Sequence, residues 1–316
     1  LRSLIEILQG EGFDDISIGE SSIENTKEVF QALGVARLEA LGAKVIDFDA
    51  EQDGWVAVES PLGLALKRFR VARAARDCDL IISAAKMKTH CDAGVTLSMK
   101  NLLGTISPAD RQAAHRTDIN RAIVDVYSYF YANKKVISIV DALYALEGRR
   151  GPITGNPVKL DLLLCGSDPL ATDAACVEIM GGSAASIPHL ALAREHNLGV
   201  LDFAVNGERI ENVRRDFDMP PLLPTFRLRL VSLARKHLFK KRPYLRYAER
   251  CTGCGSCARC CPVGAMEIRN SKARIPDDKC IGCLVCVETC RQGALDYRMR
   301  NAHVFQVAKA FYHLTS

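Results

Sequence analysis

Nine of the thirteen cysteines in this 316-residue chain fall between Cys251 and Cys290, and their spacing limits what that stretch can be. Cys251, Cys254, Cys257 and Cys261 recur 29 residues later as Cys280, Cys283, Cys286 and Cys290, and Gly264–Ala265 recurs as Gly293–Ala294. Each copy is too small to hold an apolar core alone, so two copies packed round inorganic centres supply the missing cohesion. Disulfide frameworks belong to short secreted domains, whereas a chain of this length buries a core without them. Metal ligation in a reducing cytoplasm is therefore the expectation.

Zinc is the rival, because Cys-x2-Cys pairs also build zinc ribbons. Zinc takes two such pairs per ion and has no use for a third and fourth cysteine placed at +3 and +4 in both copies. The run Cys251-x2-Cys254-x2-Cys257-x3-Cys261-Pro262 matches the bacterial 4Fe-4S pattern, and residues 248–297 resemble the two-cluster 4Fe-4S ferredoxin family. That resemblance implies two 4Fe-4S clusters with crossed ligands. One set is Cys251, Cys254, Cys257 and Cys290; the other is Cys280, Cys283, Cys286 and Cys261. Gly253 and Gly282 allow the tight turns between ligands. Arg291 stands where the family has proline, and Cys260 has no ligand position.

The preceding two thirds read differently. Apolar spacing predicts a helix over Arg2–Gln9, and Thr26 is placed to cap a second that runs through Phe30 and Leu33. Gly34 interrupts it, and another short helix follows to Gly42. Continuous apolar runs at Val45–Phe48, Leu80–Ala84, Val136–Val140 and Leu160–Leu164 read as buried strands, with helices at Asp118–Tyr131 and Pro169–Met180 between or after them. This pattern predicts an α/β domain with a mainly parallel sheet covered by helices on both faces. The expected divisions are an α/β domain at 1–222, a basic linker at 223–247, a small α+β bacterial-type ferredoxin domain at 248–299 and a C-terminal helix at 300–316.

Net charge is +5, but residues 225–250 carry nine Lys or Arg and the single acid Glu249. The remainder is mildly acidic, which argues against general nucleic-acid binding. Residues 226–239 read as a linker helix. Outward Arg235, Lys236, Lys240, Lys241 and Arg242 would guide an acidic electron donor, or bring 226–242 to an anionic membrane surface. No apolar run approaches a membrane span, no signal peptide is seen, and the chain opens on Leu1 rather than Met.

Polar clusters follow three predicted strands, where ligands bind in doubly wound sheets. Lys86, Lys88, Thr89 and His90 follow the first; Asp141 and Glu147 follow the second; Gly166, Asp168 and Asp173 follow the third. Lys100 and Asn101 lie between, beside Gly104. Lys86-Met-Lys-Thr-His90, Lys100-Asn-Leu-Leu-Gly104, Asp141 and Gly166-x-Asp168-Pro-x-Ala-x-Asp173 resemble the domain-of-unknown-function 362 family over roughly residues 1–205. That family often carries a C-terminal two-cluster ferredoxin, and it usually opens with a Lys-Pro-Asn strand that this chain lacks. The resemblance implies an iron–sulfur protein and supplies no catalytic activity.

Most of these polar residues also have a plain structural explanation, whereas Lys100 and Asn101 have none as simple. Asp168 before Pro169 is a natural helix N-cap, Asp173 suits the first helical turn, and the lysines can pair internally with Asp141, Asp168 and Asp173. His90 and His115 can be hydrogen-bonded structural residues. Cys78, Cys165 and Cys176 read as packing, Cys165 within a buried strand, whereas Cys91 beside Lys88 and His90 has a thiolate open to stabilisation. No nucleotide fingerprint is present.

Three functions follow. The first is an iron–sulfur oxidoreductase that passes electrons to a small anionic substrate. Lys86, Lys88, Asp141, Asp168 and Asp173 would form its binding site, and His90, Lys100 and Asn101 its reacting side. The second is an electron carrier or adaptor whose α/β domain binds a partner protein. The third has clusters that serve structure alone.

Overall fold

The structure is a computed structural model that describes residues 1–22, 25–50, 54–220, 241–275 and 279–299. Helix α1 (Arg2–Gly10) leads into β1 (Ser17–Glu20), α2 (Thr26–Ala32) and β2 (Lys44–Asp47). Asn25, not Thr26, caps α2, because its side chain accepts the N–H of Glu28. A 3₁₀ turn, Val35–Leu41, is bounded by Gly34 and Gly42 at φ 69° and 84°, a conformation that costs glycine nothing. Strands β1 and β2 pair in parallel over a small core of Ile5, Phe30, Val35, Leu38 and Ala43.

Next come β3 (Trp55–Glu59), β4 (Arg68–Ala72), α3 (Arg73–Asp77), β5 (Leu80–His90), β6 (Gly94–Thr96), α4 (Ser98–Asn101), α5 (Pro108–Arg116) and α6 (Ile119–Asn133). Then follow β7 (Lys135–Glu147), β8 (Asn156–Gly166), α7 (Pro169–Ile179), α8 (Pro188–Glu195) and α9 (Ile210–Val213). The main sheet has the order β6-β5-β7-β8. Helix α6 lies in the main core with Ile123, Tyr127 and Phe130 fully buried. Its N-cap is Asp118, which accepts the N–H groups of Asn120 and Arg121.

The expected mainly parallel sheet is corrected to a mixed one. Strands β5 and β7 run parallel, but β6 and β8 are antiparallel to their neighbours. The reason is the connection: residues 148–155 between β7 and β8 are too few for a crossover, which needs about a dozen residues or more. Covering on both faces is not met either among the described residues, since Leu143, Tyr144 and Leu163 stay 50%, 54% and 63% exposed. Cys165 is exposed on β8, not buried as expected, because it alternates with the inward Leu162 and Leu164.

The cysteine-rich part comprises β9 (Lys241–Leu245), α10 (Ser256–Arg259), β10 (Glu267–Arg269), β11 (Lys272–Arg274), α11 (Val285–Glu288) and β12 (Leu295–Met299). Strands β10 and β11 form a hairpin, and β12 closes against β9. The sequence repeat returns as repeated backbone: Gly253 and Gly282 both have positive φ, as do Gly264 and Gly293. Gly255 at φ 77° is matched by Leu284 at φ 61°, where a side chain is strained by about 1–2 kcal/mol. The helices expected at 226–239 and 300–316 lie outside the described residues, as do Arg235, Lys236 and Lys240.

Candidate functional site

None of the thirteen cysteines forms a disulfide. Those of the repeat gather in two groups. The Cys257 thiol is pushed up to about 11 by burial and by the neighbouring sulfurs of Cys260, Cys290, Cys254 and Cys251. A small cavity is lined by Cys261, Cys280, Cys283 and Cys286 together with Pro243, Val263, Met266 and Leu284. The first group also takes in Cys260, and Cys286 of the second lies near Cys257 of the first. Backbone N–H groups already point at sulfur: Ala265 to Cys261 Sγ at 3.1 Å and Ala294 to Cys290 Sγ at 3.3 Å at matching places in the two copies, and Ala273 to Cys251 Sγ at 3.4 Å. Burial pushes the Cys257, Cys283 and Cys286 thiols up, and bound iron would favour their thiolates. The donor set therefore fits 4Fe-4S clusters. Cys260 is engaged elsewhere, 3.1 Å from Thr289 Oγ1.

The cysteine-rich part reaches the α/β part through Glu288, at the end of α11. Its carboxylate is buried, with Oε1 3.2 Å from His90 Nε2 and 3.5 Å from Cys91 Sγ. His90 closes β5, and its Nδ1 accepts the backbone N–H groups of Asp92 at 3.2 Å and Ala93 at 3.0 Å. Nδ1 therefore carries no proton, and the neutral ring turns Nε2–H toward Glu288. Burial holds the imidazole down at about 4, against the pull of Glu288. For Glu288, burial alone would raise the carboxyl; His90, His115 and Lys100 overcome it and keep it below the usual range.

His90, Cys91 and Glu288 offer three ligand atoms within 4.8 Å of one another. A metal there would need the Nε2 lone pair, which this ring lacks while Nδ1 accepts two N–H groups. The trio is a buried polar cluster, in which Cys91 donates to Glu288 and His90 Nε2 lies 3.2 Å from the same oxygen, rather than a metal site. The expected thiolate at Cys91 is corrected as well: burial raises the thiol far above its ordinary value, and Glu288 adds to the effect.

Lysines surround this centre. Lys100 lies on α4, with burial lowering it while Glu288, Cys91 and Asp92 draw it up. Lys88 is lowered to about 8 by burial and by Lys100. Asn101 donates from Nδ2 to Ser83 Oγ at 3.3 Å. Lys241 crosses from β9, donating to Cys91 O at 2.6 Å and lying 3.4 Å from Asp92 Oδ1. It was expected to face outward; instead it is buried, because only that position gives its ammonium the carbonyl and carboxylate it meets.

The remaining sequence candidates are drawn elsewhere. Lys86 pairs with Asp141 at 2.9 Å on the outer side of the sheet, both partners 43% exposed. Asp168 caps α7, accepting from Leu170 and Ala171, and it also accepts from Val200. Asp173 is buried and accepts from Ser98 at 2.8 Å and Met99 at 2.9 Å, which pins the start of the helix that carries Lys100. Burial raises its carboxyl to about 7. The three polar clusters do not converge beyond one edge of the sheet. Strand β5 extends through His90, so its polar residues lie on the strand, and antiparallel β8 ends beside Ser138 of β7. His115 sits close enough to sense Glu288 and Lys100, with burial lowering it.

Glu288 was missed by sequence reasoning. Its one signal is a break in the repeat, since the position 29 residues earlier is Arg259, which donates to Cys254 O at the exposed side.

Among the described residues, no helix is long and apolar enough to cross a membrane. A thylakoid-associated protein of Synechocystis sp. is 28% identical over 166 residues, covering 52% of this chain and 49% of its own. The chain thus spans about half the length of that relative. No solved structure matches. A 4Fe-4S dicluster domain model matches residues 244–291. The model for a domain of unknown function, DUF362, matches residues 1–178, more than half of the chain, and the protein therefore belongs to that family.

Proposed function

We propose that this protein is an iron–sulfur electron-transfer protein that exchanges electrons with a redox partner protein in a reducing compartment. Two 4Fe-4S clusters would be held by Cys251, Cys254, Cys257 and Cys290, and by Cys280, Cys283, Cys286 and Cys261. When bound they supply reversible one-electron transfer. The observation that carries the reading is the gathering of these eight sulfurs into two groups, one round Cys257 and one lining a common cavity. The chain's own contribution is to hold the cluster loops against the α/β part. Glu288, two residues before Cys290, meets His90 and Cys91, while Lys241 bonds Cys91 O from the other side. The test is iron and acid-labile sulfide in anaerobically reconstituted protein. About eight irons per chain are expected from two four-iron clusters, falling to about four in Cys257→Ser and unchanged in Cys260→Ser. Zinc without sulfide refutes the reading.

A second reading, oxidoreductase action on a small anion, is favoured by one observation. Lys88 and Lys100 are two cations lowered by burial near Glu288, at the end of α11. In this reading the lysines hold the anion and Asn101 orients it, with His90 beside them facing Glu288. Lys100→Met should then keep both clusters yet abolish substrate-dependent reoxidation of the reduced protein. A broad metabolite screen that finds no oxidant leaves the carrier alone.

A further inference from the structure

A second meeting place of the two parts remains unexplained by electron transfer. A cavity of about 740 Å³ opens between the loop after β7 and the segments that flank the cluster ligands. Five arginines line it, Arg149 and Arg150 from the α/β side and Arg246, Arg250 and Arg291 from the other, against two aspartates, Asp218 and Asp296. The aspartates are already engaged, Asp218 with Arg149 at 2.9 Å and Asp296 with Arg246 at 2.6 Å. Three guanidinium carbons crowd one ring: Arg250, Arg246 and Arg150 lie 4.4, 5.1 and 5.7 Å from the centroid of Tyr247. Among the described residues neither Arg150 nor Arg250 has a carboxylate within ion-pair distance.

Like charges held this close repel one another, and cation–π contacts at an exposed site offset only part of that repulsion. Such an array is stable at low cost when an anion sits among the guanidiniums, whose planar forks match phosphate or carboxylate oxygens. We propose that this seam binds a phosphate-bearing small molecule with two or more negative charges. Two guanidiniums without a carboxylate, Arg150 and Arg250, call for more than one charge, and the volume lies in the range of small-molecule sites. A diphosphate offers several oxygens to separate guanidiniums at once, which a single carboxylate does not.

The site stands whether or not the clusters carry electrons, because binding and iron content are read separately. The experiment is isothermal titration of the full reconstituted chain with pyrophosphate, then displacement by ADP, with citrate as the carboxylate comparison. One saturable site for pyrophosphate is expected, with ADP displacing it and citrate binding more weakly. Loss of one charge-assisted contact in Arg250→Gln should weaken binding about tenfold or more. Arg150→Gln should do the same, and Arg209→Gln, whose ion pair with Glu211 lies outside the cavity, should not. Arg250 is exposed, and its described contact is the Tyr247 ring, so Arg250→Gln should keep its iron and its fold. No saturable pyrophosphate binding, affinity unchanged from the parent chain in Arg150→Gln and Arg250→Gln, failure of ADP to displace it, or citrate binding as tightly overturns the proposal.

Discussion

The centre around Glu288 and the seam around Tyr247 both join the α/β part to the cysteine-rich part, yet they handle charge in opposite ways. At Glu288, water is excluded, one carboxylate faces an imidazole N–H, and lysines complete the set. At Tyr247, cations outnumber acids and remain open to solvent, where each guanidinium keeps much of its hydration. Desolvation makes the difference. A buried charge must find its partner inside the protein, so its loss is costly; a solvated charge loses little when its neighbour goes. The buried centre therefore bears on stability, and the seam on recognition.

The comparison breaks most readily at Glu288. Glu288→Ala strands Lys100 and removes the acceptor for His90, and should destabilise the chain by about 3–5 kcal/mol, read as a lowered denaturant midpoint. A loss below about 1 kcal/mol would show that water reaches the centre and that the contrast with the seam is false.

The second effect is on pH dependence. Burial holds His189 down at about 3 against 6.5 in the unfolded chain. Below pH 6.5 the unfolded chain takes up a proton that the folded chain refuses. Stability from neutral His189 is thus present above 6.5 and lost as pH falls toward 3, by up to about 1.4 kcal/mol per pH unit. Lys88 is held at about 8 against 10.5, so between those values the unfolded chain again binds more protons and stability should rise with pH. His189→Gln should flatten the acid limb and Lys88→Met the alkaline one, measured by urea unfolding across pH.

Lys241→Met comes third. It leaves Cys91 O and Asp92 short of a buried donor, and a cost of about 1–3 kcal/mol is expected from unfolding curves. The smallest effect belongs to the seam: Arg250→Gln should change stability by no more than about 0.5 kcal/mol. A larger loss would move the seam into the structural class and remove the distinction.

Much of the cysteine-rich part was legible because its information is local. The offset of 29 recurs in the positive φ of Gly253 and Gly282, in that of Gly264 and Gly293, and in the N–H bonds from Ala265 and Ala294 to sulfur. Helices α6 and α7 were legible for a similar reason, since Asp118 and Asp168 cap them from the adjacent residues. The sheet was less so. An apolar run such as Leu160–Leu164 does not say which way its strand points, and β8 turned out antiparallel.

From the sequence alone came the two sets of cysteines, the family motifs, and the local caps and turns, all written within a few residues of the chain. Tertiary structure alone decided that Lys86 and Asp173 are occupied elsewhere and that Lys241 turns inward. It also decided that Glu288 reaches His90, 198 positions away, and that arginines from two distant segments share one tyrosine. Burial and partnership are properties of positions in space, and desolvation, which sets the worth of every charge here, is not written in spacing along a chain.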